Sequence, residues 1–180
     1  YLSASYHRFH NSSQAASAGQ RSSQRYIGNY KSMRAIIALG ANIGDPKEQM
    51  DLAVAMLREA TDFKKVSNYF STKPVSDIPQ PDYLNAVCIV ESDLPALDLL
   101  ALLHGIEKTL GRERNEKWGP RTIDLDLIQY GTLLSSAAEL TLPHPRAHER
   151  RFVIEPWHSI DPEAILLTHG KISDLLEQMP

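Results

Sequence analysis

Apolar and acidic residues alternate without a break in Ile-Asp-Leu-Asp-Leu (123–127), a pattern that fits an extended segment lying between a core and something charged. Side chains of a strand point to opposite faces in turn. Ile123, Leu125 and Leu127 are therefore expected to face the core and Asp124 and Asp126 to project together from the other face, their Cα atoms ~6.5 Å apart, two strand rises. Carboxylates that close repel unless a cation joins them, and hard oxygen donors suit Mg²⁺, which completes its octahedron with phosphate and water. The solvated face of an edge strand would show the same two aspartates, so the pair alone leaves both readings open.

The remaining pattern supplies partners for this strand. Arg-Ala-Ile-Ile-Ala-Leu (34–39), closed by Gly40, reads as a buried strand. Asp45, Pro46 and Glu48 then combine an N-cap, a first-turn proline and a capping-box glutamate. Met50, Ala53, Val54, Leu57 and Ala60 form the apolar stripe of the helix that follows. Strands are expected over 64–71, 85–91 and 122–130, the second with an all-apolar stretch at 86–90. A helix over about 95–110 buries Leu99, Leu103, Ile106 and Leu110 and ends at Gly111. Helix-prone pieces follow near 151–157 and 172–179. The order strand, helix, strand, strand, helix, strand is that of an α+β, ferredoxin-like βαββαβ core, with helices covering one face of a mostly antiparallel sheet.

Residues 1–32 differ in kind: Ser, Gln, Asn and Ala dominate, and the first acidic residue of the chain is Asp45. They are expected to be a disordered leader before a start at Met33, or a transit-like segment, and 33–180 a single domain. The net charge of -3 offers no broad basic field for nucleic acid. No apolar run reaches the ~20 residues that cross a bilayer. The single cysteine, Cys88, excludes an internal disulfide and suits a reducing cytoplasm.

Arg112, Arg114, Lys117 and Arg121 crowd the approach to the acidic pair. Cations beside a dicarboxylate make sense if phosphate lies between them, because guanidinium groups bind phosphoryl oxygens bidentately; scattered surface arginines are the plainer alternative. Two other classes use related features. A sugar-nucleotide glycosyltransferase holds metal through Asp-x-Asp, but no Gly-x-Gly-x-x-Gly follows a strand here. An RNA-binding sheet would need a basic face where Asp124 and Asp126 stand.

Over about 34–178 the chain resembles the 6-hydroxymethyl-7,8-dihydropterin pyrophosphokinase family. The resemblance is carried, in order, by Ala-Leu-Gly-Ala-Asn (38–42), Gln-Pro-Asp-Tyr-Leu-Asn (80–85), Gly-Arg-Glu-Arg (111–114), Trp-Gly-Pro-Arg-Thr-Ile-Asp-Leu-Asp (118–126) and Leu-Pro-His-Pro-Arg (142–146). It implies diphosphate transfer from ATP to the pterin hydroxymethyl group across two Mg²⁺ ions, with AMP leaving, by a monomer that acts on small molecules. Asp124 and Asp126 match metal ligands, and Asp126 is besides a candidate acceptor for the hydroxyl proton. Arg112 and Arg121 match catalytic arginines. Arg114, Lys117, His144, Arg150 and Glu107 match positions near ATP, although His104, beside Glu107 on one helix, replaces the glutamine expected there. Alone, His104 and Glu107 would read as an exposed helical pair. Thr72, Val75, Tyr83, Asn85, Trp118 and Phe152 match the pterin pocket, where flat walls sandwich a ring and an amide reads its edge. Lys73 and Pro145 depart from the pattern and are read as peripheral. The loops 72–83 and 111–120 look like lids that close over substrates.

Overall fold

Residues 35–39 are buried in unbroken succession within β1 (Met33–Ala41), which marks a central strand covered on both faces. The computed structural model describes residues 32–74, 79–111 and 122–179. β4 (Tyr83–Ser92) pairs with one side of β1 and β5 (Asp124–Tyr130) with the other, both antiparallel. β2 (Asp62–Val66) and β3 (Phe70–Thr72) run along the far side of β4, so the sheet order is β2–β4–β1–β5 with β3 also on β4. α1 (Pro46–Ala60) follows β1 and α2 (Ala96–Thr109) precedes β5.

The α+β class and the alternation of strands with helices are those expected from sequence. The strand expected over 64–71 is divided at 67–69. There Ser67 replaces a regular ladder: its N–H donates to Val87 O at 2.9 Å and its Oγ accepts from Val87 N–H at 3.0 Å. The start of α1 is capped as read, with Asp45 Oδ1 accepting from Glu48 N–H at 3.0 Å. Its stripe buries Met50, Ala53, Val54 and Leu57 but leaves Ala60 exposed.

One expectation is corrected: helices cover both faces of the sheet. Ile37, Leu39, Cys88, Val90, Leu125 and Leu127 pack against α1 and α2. From the opposite face Ile36, Ala38, Val87, Ile89 and Ile128 pack under Val153, Ile154 and Trp157 of α3 (Arg151–Ile160), with Ile172 of α4 (Ile172–Glu177) in the same cluster. The cause is in the central strands, where residues of both parities are apolar and both faces must leave water. The face carrying Asp124 and Asp126 is thus roofed by α3 at its Ile128 end. β5 bulges opposite Ile36 and Ile37. There Ile128 joins the α3 cluster, while Gln129, on the same side, donates to Ile165 O and accepts from Leu167 N–H.

Candidate active site

The roof is incomplete over the ends of the strands, and a cavity of about 380 Å³ opens there. Gly40 lies in register with Asn85 on one neighbour and Asp124 on the other; Ala38 lies likewise between Val87 and Asp126. The small residues of β1 keep this floor low. A Cβ on Gly40 would stand 3.3 Å from Asn85 Oδ1, so glycine keeps the row free of crowding. Asp124 and Asp126 line the floor side by side, as the period-two pattern requires.

On the β4 side, Asn85 is 5% exposed and donates through Nδ2 to Thr72 Oγ1 at 2.7 Å. Tyr83 donates its hydroxyl to Gln80 Oε1 at 3.1 Å, and Asn42 Nδ2 donates to the same oxygen at 3.0 Å and to Pro81 O at 3.1 Å. Lys73 Nζ spans both oxygens of Asp82 at 3.0 and 2.9 Å. These bonds tie the described ends of the 72–83 loop to each other and to the end of β1.

On the α3 side the lining turns cationic. Arg150 Nη1 lies 3.4 Å from Asp126 Oδ2, and its guanidinium stands 5.6 Å from the centre of the Phe152 ring, within cation–π reach. His144 is held in place by its N–H, which donates to Ile128 O at 2.8 Å. Burial pushes its ring below the ordinary histidine pKa; Asp126 opposes that shift and Arg150 reinforces it. Nδ1 accepts from Arg146 N–H at 3.2 Å, so a neutral ring carries its proton on Nε2.

Of the residues singled out from sequence, Thr72, Tyr83, Asn85, Asp124, Asp126, His144, Arg150 and Phe152 line this one cavity. Val75, Arg112, Arg114, Lys117, Trp118 and Arg121 lie outside the described residues, as does most of the 111–120 loop. Glu107 stands apart: it is 3% exposed on α2, is not among the lining residues, and accepts from Leu125 N–H at 2.8 Å. His104, three residues earlier, is exposed, so the two do not form one surface pair. Among the described residues no group of three or more His, Cys, Asp or Glu could hold a metal. The adjacent carboxylates nevertheless fit Mg²⁺, which asks for one or two from protein and takes its other oxygens from phosphate and water.

The model of the 7,8-dihydro-6-hydroxymethylpterin-pyrophosphokinase (HPPK) family matches residues 36–162. The chain belongs to the HPPK family. The 2-amino-4-hydroxy-6-hydroxymethyldihydropteridine pyrophosphokinase of Haemophilus influenzae is 38% identical over 146 residues, 80% of this chain and 91% of that protein. The enzyme of the same name from Bacillus subtilis is 41% identical over 124 residues, 68% of this chain and 74% of that one. A solved Plasmodium falciparum HPPK-DHPS shares the fold with a TM-score of 0.65 at 12% identity; the match covers 82% of this chain and 44% of that one. The HPPK span contains every cavity residue named above, including several that the sequence reading left unassigned. Lys73, read as peripheral, lines the cavity, as do Gln80, Arg146 and Glu149. Gln80 and Arg146 fall inside two of the quoted motifs, which was the available signal; nothing in the sequence singles out Glu149.

Proposed function

We propose that this HPPK-family protein transfers diphosphate from ATP to the hydroxymethyl group of 6-hydroxymethyl-7,8-dihydropterin and releases AMP, a step of folate biosynthesis. The observation that carries the reading is the order of groups across one cavity floor. A hydrogen-bonded amide and a phenol lie on one side, an acidic pair in the middle, and an arginine with an imidazole on the other. That order matches a substrate pair in which a flat heteroaromatic ring meets a polyphosphate.

In this reading Tyr83 and Phe152 flank the pterin ring, joined by Trp118, while Asn85, oriented by Thr72, reads its polar edge, with Val75 contributing from the same loop. Asp124 and Asp126 would hold magnesium, two ions in our proposal. Bound there, magnesium neutralises phosphate charge and fixes the orientation of the triphosphate. Arg150 and His144 contact the nucleotide, with Arg114 and Lys117 beside its phosphates. The hydroxymethyl oxygen bonds to the β-phosphorus as the bond from that phosphorus to the oxygen bridging the α-phosphorus breaks. AMP departs with that oxygen, and the hydroxyl proton passes to Asp126 or to water. Arg112 and Arg121 take up the charge that develops. We further propose a cytoplasmic monomer; the free, buried thiol of Cys88 supports a reducing compartment.

Product analysis tests the reaction. Incubation with ATP, Mg²⁺ and the hydroxymethyl-dihydropterin should yield AMP, seen by chromatography, only when the pterin is present. Formation of ADP, or no nucleotide turnover, would contradict the proposal.

A further inference from the structure

Among the described residues β5 is an edge of the sheet, so every second N–H along it turns away from β1 with no described strand beside it. At Leu125 that outward N–H donates to Glu107 Oε1 at 2.8 Å. The edge is tied again at Ile128, whose carbonyl accepts from His144 N–H at 2.8 Å. Asp126 stands between the two ties and Asp124 immediately before the first. Glu107 reaches its tie from the opposite side of the sheet to the cavity, carried by α2 beside the core residues Leu103 and Ile106.

Burying a carboxylate costs free energy that an aliphatic residue at the same helix position would not incur. One thing a carboxylate does there, and Leu or Ile cannot, is accept the Leu125 N–H at the strand edge. We infer that Glu107 is a positioning residue that pins the backbone of β5 between Asp124 and Asp126 and so sets the separation at which the two carboxylates meet a divalent cation. In this role it acts through Leu125 and not by ligating the cation itself. The inference rests on the pyrophosphokinase reading for its assay, but the tie itself does not. Partners that orient metal ligands from behind change metal affinity or activity 10- to 100-fold when removed.

The test compares Glu107→Gln, which keeps an acceptor oxygen, with Glu107→Leu, which removes it at similar size. Two readouts are the exchange rate of the Leu125 amide by NMR and the Mg²⁺ concentration for half-maximal AMP formation. Glu107→Gln should keep the amide protected and the Mg²⁺ midpoint near wild type. Glu107→Leu should expose the amide and raise the midpoint about 10- to 100-fold, with a much smaller change in the ATP KM at saturating Mg²⁺. Rapid exchange of Leu125 in the wild-type protein, or an unchanged Mg²⁺ midpoint in Glu107→Leu, overturns the inference. So does a raised ATP KM in Glu107→Gln with Leu125 still protected, which would mark Glu107 as a nucleotide contact. Should Glu107→Leu fail to fold, wild-type exchange and Glu107→Gln decide the matter. If the wild-type protein makes no AMP, the reaction assignment fails, and the tie is judged by amide exchange together with Mn²⁺ titration of the nucleotide-free variants.

Discussion

Gly40 shows how much of the site depends on single residues. It sits in register between Asn85 and Asp124, and a methyl group there would press on Asn85 Oδ1 from 3.3 Å. Gly40→Ala should displace the amide from Thr72 and weaken pterin binding roughly tenfold, about the worth of one hydrogen bond, as read by equilibrium titration with the pterin. Cys88 gives a second residue-level expectation. Burial pushes its thiol from 9.0 up to about 12, so the folded state holds the proton where the unfolded chain releases it. The stability this contributes is complete below the unfolded value and is lost as pH rises from about 9 toward 12. Denaturant midpoints should therefore fall over that window, and less so in Cys88→Ala. At this scale the acidic pair was legible because a strand has a period of two. The burial of Glu107 was not, since a helical spacing from His104 gives no sign of which residue meets the edge of a strand.

Secondary-structure elements were read most securely where backbone chemistry is local. Asp45, Pro46 and Glu48 announce the start of α1, and the cap bond is present at 3.0 Å. Asp45→Ala should cost about 1 kcal/mol, measured as a shift in the denaturant midpoint, without moving catalysis. Gly111 has a positive φ of 78° just past α2, as its place at the helix end led us to expect. Features that depend on a partner strand were not legible. The break between β2 and β3 exists because Ser67 bonds to Val87, and the bulge in β5 shows only against the register with β1. Packing of α2 against the sheet rests on residues such as Leu103, which is fully buried. Leu103→Ala should cost about 2–5 kcal/mol by denaturant unfolding, through lost burial and the cavity left behind.

For the whole molecule, the run of apolar residues at 86–90 held the reason for cover on both faces of the sheet, although the order of elements led us to expect helices on one. It did not say which segment would provide it. That task falls to α3, whose apolar side fits the face that α1 and α2 leave bare. In covering the Ile128 end of that face and not the Asp124 end, α3 makes the cavity and sets Arg150 and Phe152 at its wall. The central claim is that Asp124 and Asp126 serve one reaction on this floor. The most direct measurement is pterin-dependent AMP release by Asp124→Ala and Asp126→Ala at saturating Mg²⁺, with folding checked by circular dichroism. The account predicts a loss of at least about a thousandfold in each, the several kcal/mol that metal coordination contributes to such transfers. A folded Asp126→Ala protein that released AMP at the wild-type rate would contradict it.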